Sequence, residues 1–338
     1  RHEGRDPWQR NVGSERPIQA PMSQTSGDID TALRERFGLS EFRPWQREAI
    51  EALLYGQGRA LVIAPTGGGK SLCYQLPAAV LSGTSIVVSP LIALMEDQVR
   101  ALRERGIEAT YLASTLEPEE LRRREQAIGE GQYQLVYVAP ERLESNWVVE
   151  RLAAVEPPLV AIDEAHCISQ WGHDFRPSYL RLGVVLERLQ PKRVLACTAT
   201  ATPVVREEIQ ARLGLGEEGT AVILRGFSRP NLHLSVTESD VSSERQKRML
   251  RALGDALGEP TGPAGGAIVY AAPRRNPETV AEPIAQAGWR VAADHAGLPA
   301  PGRDEVNRRF ADRSRDVVVA TNAFGMGIDR PDIRAVVH

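Results

Sequence analysis

Long apolar runs, cysteines and lysines are all scarce in this 338-residue chain, and each shortage excludes something. Hydrophobic stretches such as residues 60–64 and 85–88 fall far short of the roughly 20 apolar residues a membrane helix needs, and no charged-then-apolar leader opens the sequence. A soluble, cytoplasmic protein without a membrane partner is expected. The three cysteines, Cys73, Cys167 and Cys197, are odd in number and lack Cys-x-x-Cys spacing, so they suggest neither a disulfide framework nor a zinc site. A formal net charge of -3 gives no global attraction to a polyanion, and any nucleic-acid binding would have to come from local basic patches.

The lysine shortage points somewhere. Of 41 basic residues only Lys70, Lys192 and Lys247 are lysines, an imbalance most simply explained by a coding bias toward arginine. A lysine kept inside a glycine run then reads as chemically required, because arginine's broad planar fork cannot replace a compact ammonium everywhere.

Length and a 42% hydrophobic content suggest two globular domains. Residues 1–27 are polar, rich in Pro, Gly, Ser and Gln and without helical or strand period, so disorder is expected there. The chain opens with Arg1, and Met22 is a candidate natural start, which would make the first 21 residues upstream translation or a cloning remnant. Beyond them, apolar β-branched runs at 60–63, 85–88, 135–139, 159–162 and 194–197 read as buried strands, and amphipathic stretches such as 92–105 and 204–213 read as crossover helices. That alternation predicts a parallel sheet flanked by helices. The pattern restarts after residues 225–231, with strands expected at 232–236, 267–270, 291–293, 317–320 and 335–337. The expected division is therefore a first domain over 28–225 and a second over 226–338, with the Gly- and Pro-rich stretch 258–266 as a surface loop.

Ala64-Pro65-Thr66-Gly67-Gly68-Gly69-Lys70-Ser71 follows an apolar strand and opens a helix, the context a phosphate-binding loop needs. Gly67, Gly68 and Gly69 let backbone N–H groups from Thr66 onward turn inward around phosphates, and the helix N-terminus adds partial positive charge. Lys70 is expected to reach the β and γ phosphates and the Ser71 hydroxyl to ligate Mg²⁺. Asp163-Glu164-Ala165-His166 ends another apolar strand, where parallel sheets place ligands. Asp163 is the candidate Mg²⁺ ligand and Glu164 the candidate general base for the attacking water. His166 reads either as a satisfied structural histidine or as a relay of nucleotide state.

With these two sites in place, the region from Phe37 to His338 resembles the RecQ family of superfamily 2 DNA helicases. The resemblance implies a fold of two RecA-like domains, the second incomplete. Phe37-Gly38 with Phe42-Arg43-Pro44-Trp45-Gln46 is similar to the family's adenine-recognition element, implying that Gln46 bonds the adenine edge and Arg43 packs on the ring. Residues 88–99 resemble the segment that lies against the DNA backbone, with Ser89 as candidate contact. Thr198-Ala199-Thr200 is similar to the motif linking hydrolysis to domain movement. Cys167-Ile168-Ser169-Gln170-Trp171-Gly172-His173-Asp174-Phe175-Arg176-Pro177 resembles the family's aromatic-rich loop. Aromatic faces stack on unpaired bases of any sequence, so Trp171 and Phe175 are implied as stackers, with Arg176 and His173 coupling DNA contact to the ATP site. In the second domain, 295–298 and 319–331 match the family, implying DNA contacts at His295 and Thr321 and a nucleotide ribose contact at Asp329.

The family likeness further implies ATP and Mg²⁺ as cofactors and single-stranded and partly duplex DNA as partner. It also implies 3′-to-5′ movement, unwinding in recombination and repair, and a nucleoid association in a bacterium, while leaving protein partners unspecified. Closure of the domains around ATP between Lys70 and Asp329 is the implied cycle. The family's Gly-Arg-rich arginine-finger motif is expected shortly after His338. Such an arginine is worth about 10³–10⁵ in rate, so these 338 residues are expected to bind ATP–Mg²⁺ but hydrolyse it poorly. Two alternatives stay open: a nucleotide-gated DNA-binding protein with little hydrolysis, and an RNA motor of the same superfamily.

Overall fold

The computed structural model describes residues 26–338 apart from 173, 217, 227–230, 272–275, 296, 322–323 and 325–329. Backbone contacts divide the chain into two compact units, Arg1–Ser228 and Arg229–His338. The disorder expected over 1–27 falls almost wholly outside the described residues, and the first helix, α1 (Ser26–Phe37), begins just inside that stretch.

The first unit continues with α2 (Pro44–Leu54), β1 (Arg59–Ile63), α3 (Leu72–Val80), β2 (Ser85–Val88), α4 (Ile92–Glu104), β3 (Ala109–Leu112), α5 (Pro118–Gly129) and β4 (Leu135–Val138). Then come α6 (Asn146–Ala154), β5 (Val160–Ile162), α7 (Leu182–Leu189), β6 (Val194–Thr198), α8 (Pro203–Leu213) and β7 (Ala221–Leu224). Its seven strands run parallel in the order β3-β4-β2-β5-β6-β1-β7. Alternation within each strand feeds two cores: Ala60 and Val62 pack with α1 to α4, whereas Leu61 and Ile63 face the side of α6 to α8. A strand buried on both faces needs apolar residues at every position, and β2, β4, β5 and β6 are buried throughout.

This strand order brings remote parts of the sequence together. β6 lies between β1 and β5, and β2 borders β5, so the segments leaving β1, β6, β5 and β2 emerge side by side at one edge of the sheet. Ligands bind at the carboxyl ends of parallel strands.

The second unit comprises α9 (Ser242–Leu257), β8 (Gly266–Tyr270), α10 (Pro277–Gln286), β9 (Val291–Asp294), α11 (Ala300–Ala311), β10 (Val317–Ala320) and β11 (Ile333–Val337). Its four parallel strands run β11-β8-β10-β9. One face packs Val269, Val317 and Val319 on Leu253, Leu257, Ile284 and Trp289, and the other packs Ile268 and Val318 on Phe310 and Phe324.

One expected strand is absent and two observed strands were not expected. The strand read at 232–236 is not one: the segment lies outside both sheets, with Leu234 and Val236 each 95% exposed. Its apolar–polar alternation satisfies the strand pattern, but a strand exists only where a neighbour accepts its backbone hydrogen bonds. Conversely, β3 and β7 went unread; both are edge strands of the first sheet. Among the described residues no helix is long and apolar enough to cross a membrane.

Candidate nucleotide site

The loop between β1 and α3 is held from three sides. Ala64 N–H donates to the Thr198 carbonyl at 3.1 Å, which fixes the loop's start to the end of β6. Gly67 and Gly69 sit at φ +73° and +81°, where a side chain would be strained. The Lys70 ammonium arches over the loop and donates to the carbonyls of Ala64 at 3.0 Å and Pro65 at 3.4 Å. Thr66 and Gly67 are exposed, Gly68 is buried against Trp45, and half-buried Ser71 stands at the head of α3, its carbonyl accepting the N–H of the buried Tyr74 at 3.2 Å.

Gln46, the expected adenine reader, is buried and engaged. Its Oε1 accepts the Arg43 N–H at 2.9 Å and its Nε2 donates to the Gly69 carbonyl at 3.0 Å, so one carboxamide ties the start of α2 to the phosphate loop. Each end of that amide retains capacity for a second bond. The Arg43 side chain is exposed beside it.

Asp163 leaves β5 buried, its N–H donating to the Val88 carbonyl at 2.8 Å. Its Oδ1 accepts the Glu164 N–H at 3.0 Å, and the fully buried Tyr179 hydroxyl donates to its carbonyl at 3.0 Å. Burial first, then the neighbouring Glu164 charge, pushes the Asp163 carboxyl up to about 7, opposed by the Glu164 N–H and by the positive charges of Lys70 and His166. The acid and the loop lysine therefore share one electrostatic site. Glu164 takes the left-handed conformation at φ 48°, rare for a residue with a Cβ, which aims its carboxylate back toward His166, with Oε2 3.2 Å from Nδ1.

His166 is buried in the short 3-10 turn Ala165–Ile168. Its Nδ1 lies 2.9 Å from Thr198 Oγ1, while Thr198 Oγ1 lies 3.1 Å from the Thr200 carbonyl and 3.3 Å from the Thr200 N–H. A carbonyl can only accept, so the Thr198 hydroxyl proton goes to Thr200, and Nδ1 must carry the proton it gives to Thr198 and Glu164. Nδ1 thereby links the acid pair to the loop after β6.

The aromatic loop follows directly. Trp171 is 78% exposed, Phe175 and Arg176 are half-buried, and His173 lies outside the described residues. Gly172 is required by close approach: a Cβ there would fall 2.5 Å from the His166 carbonyl oxygen. Arg176 donates to the Pro90 carbonyl at 3.1 Å and to Asp174 Oδ2 at 3.2 and 3.3 Å, joining this loop to the segment after β2. Ser89, expected to touch DNA, is only 1% exposed at the end of β2.

In the second unit His295 and Thr321 are half-buried just beyond β9 and β10. His295 Nδ1 accepts the Gly297 N–H at 3.2 Å, and Nε2 stands 3.6 Å from Glu278. Asp329 lies outside the described residues. Sequence reasoning missed Tyr179 altogether; its signal, a tyrosine amid an apolar stretch, does not distinguish a core residue from one that buttresses the acid. The donor set fits Mg²⁺, since Asp163 and Ser71 offer hard oxygen ligands and the burial of Asp163 leaves a charge that a cation would neutralise.

Two family descriptions match successive parts of the chain: "DEAD/DEAH box helicase" over residues 43–208 and "Helicase conserved C-terminal domain" over residues 248–338. The ATP-dependent DNA helicase RecQ of Bacillus subtilis is 44% identical over 307 residues, which cover 90% of this chain and 50% of that protein. The chain belongs to the RecQ family of superfamily 2 helicases. RecQ of Pasteurella multocida is 40% identical over 95% of this chain and 48% of its own length. This RecQ-family chain thus spans about half the length of the curated relatives it matches. Among solved structures, Mycobacterium smegmatis helicase Lhr bound to ssDNA and AMP-PNP aligns with a TM-score of 0.67 and 23% identity, covering 92% of this chain and 44% of that one. Saccharomyces cerevisiae dbp5 bound to gle1 and ip6 aligns at 0.65 and 16% identity, covering 94% and 79%. These likenesses concern the fold, and both units of the RecQ-family chain are RecA-like.

Proposed function

We propose that this chain is the motor region of an ATP-dependent DNA helicase that moves 3′ to 5′ along single-stranded DNA and separates duplexes in recombination and repair. The observation that carries the reading is the strand order, which brings the Lys70 loop after β1 and the Asp163–Glu164 pair after β5 to one edge of the sheet, where the Lys70 charge favours the ionised Asp163. The glycine loop and Lys70 hold the triphosphate, Gln46 and Arg43 take the adenine, and Glu164 draws a proton from the attacking water. Asp163 and Ser71 would hold Mg²⁺, which would supply charge neutralisation at the phosphates. Trp171 and Phe175 stack on unpaired bases, and Arg176 and the His166–Thr198 link pass that contact to the acid pair. His295, Thr321 and, outside the described residues, His173 and Asp329 complete the proposed contacts.

Two substitutions test the chemistry. Lys70→Ala is expected to lower nucleotide affinity, and Glu164→Gln to leave binding intact while cutting turnover by about 10²–10⁴-fold, both read by fluorescent-nucleotide binding and phosphate release. Trp171→Ala is expected to cost roughly 1–3 kcal/mol of single-strand affinity. Equal ATPase stimulation by RNA and DNA, or unwinding of 5′-tailed duplexes only, would overturn the substrate and direction assigned.

A further inference from the structure

The aromatic loop begins and ends on groups that meet again in space. Cys167 Sγ lies 3.8 Å from His166 Nε2 and 3.8 Å from Asp174 Oδ2, and the three ligand atoms all fall within 4.8 Å of one another. A tetrahedral zinc ion with bonds of about 2.3 Å to sulfur and about 2.0 Å to nitrogen or oxygen separates its sulfur from its other ligands by roughly 3.5 Å. Both sulfur distances are within a few tenths of an ångström of that spacing, while the His166 and Asp174 atoms, within 4.8 Å, must close to roughly 3.3 Å by a swing of the part-exposed Asp174 side chain.

The hydrogen-bond pattern also suits a metal. With Nδ1 committed to Thr198 and Glu164, Nε2 is the ring nitrogen left facing the thiol, 3.8 Å away. A carboxylate behind the distal nitrogen is the arrangement that orients metal-binding histidines, and Glu164 stands there. Arg176 Nε and Nη2 both donate to Asp174 Oδ2, the oxygen that faces the thiol. The cysteine and histidine are buried while the Asp174 side chain is 40% exposed, leaving a route of entry and room for water as fourth ligand.

We propose that His166 Nε2, Cys167 Sγ and Asp174 Oδ2 form a binding site for a zinc ion. Binding forms a zinc–sulfur bond and releases one thiol proton to solvent; thiolate, carboxylate and Zn²⁺ then sum to zero charge. The ion clasps both ends of the segment bearing Trp171 to the ring that Glu164 holds. Counting Cys-x-x-Cys pairs cannot reveal such a site, because its ligands are of three kinds and one arrives through a loop.

The test is titration of the chelator-stripped 338-residue chain with Co²⁺ as a spectroscopic stand-in, followed by displacement with Zn²⁺. One equivalent is expected to give a thiolate-to-cobalt charge-transfer band and intense tetrahedral visible bands, both bleached by Zn²⁺. Cys167→Ser is expected to abolish the charge-transfer band, Asp174→Asn to weaken cobalt binding by about tenfold or more, and Cys73→Ser to change neither. Absence of a thiolate band in the wild-type chain at millimolar cobalt, its survival in Cys167→Ser, or unchanged affinity in the Asp174→Asn chain would each overturn the proposal. The Asp174 variant alters a half-exposed group, so the test stands even where the cysteine variant folds poorly. None of these readouts depends on helicase or ATPase activity.

Discussion

The two units are built from the same strand–helix repeat but differ in how much sheet they bury. In the first, seven strands sit between two helical layers and the central ones are sealed on both faces. In the second, four strands carry a thinner core: β9 is largely half-buried, β11 alternates between half-buried and exposed positions, and Val336 is 50% exposed. Apolar area removed from water is the main source of stability. The first unit can therefore tolerate a buried carboxylate and a left-handed glutamate at its working edge, whereas the second depends on a few side chains.

That contrast can be broken at its weakest member. Phe310 is fully buried, packs edge-on against Phe324 at 5.9 Å, and has the Arg330 guanidinium 4.4 Å from its ring centre. Phe310→Ala is expected to cost about 3–5 kcal/mol, read as loss of hydrogen-exchange protection in β8 and β10; protection kept at wild-type level would refute the thin-core account.

Asp163→Asn tests the opposite unit and has the opposite sign. The Asp163 carboxyl is raised from 3.8 to about 7 in the folded chain, so the folded state holds its proton more tightly than the unfolded state. Stability is therefore lost as pH rises from about 4 to 7 and is level above. At about 1.4 kcal/mol for each tenfold in proton affinity, an asparagine should stabilise the metal-free chain by up to roughly 4 kcal/mol at pH 8 and by nothing below pH 4. Thermal melts across that range would show it, and a variant less stable than wild type at pH 8 would contradict it. Mg²⁺-dependent nucleotide binding should fall in the same variant.

A smaller effect is expected at Asp316, 1% exposed in the second unit, which accepts hydrogen bonds from the Arg290 backbone N–H at 3.1 Å and from its guanidinium at 3.0 and 2.5 Å. Removing it as Asp316→Ala strands those donors at about 1–3 kcal/mol, measured by denaturant midpoint. Thr202→Ala, which deletes the 3.4 Å cap to the Val205 N–H of α8 in the first unit, should cost only about 1 kcal/mol.

Periodicity made the alternation of the central strands legible, because strands sealed on both faces must be apolar throughout. It failed at the margins. β3 carries the buried Thr110 in a four-residue edge strand, and 232–236 shows the right alternation with no partner to pair with. The position of the glycine loop after β1 and of the acid pair after β5 was legible because each is a local pattern at a strand end. The His166–Thr198 hydrogen bond, the Arg176 tie to Pro90 and the Tyr179 support for Asp163 were not, since each joins loops from different strands and depends on strand order. Nor was the burial of Ser89 legible, a motif residue only 1% exposed.

Gly69 has a consequence for what sequences this site can tolerate. Its φ of +81° disfavours every residue with a side chain, and a Cβ there would lie 2.6 Å from Gln46 Nε2, which is pinned at both ends of its amide. Backbone geometry and the Gln46 carboxamide thus veto substitution separately, so relaxing either alone would not free the position. A saturation library at 69 should return glycine alone, and one at 46 should not widen that choice.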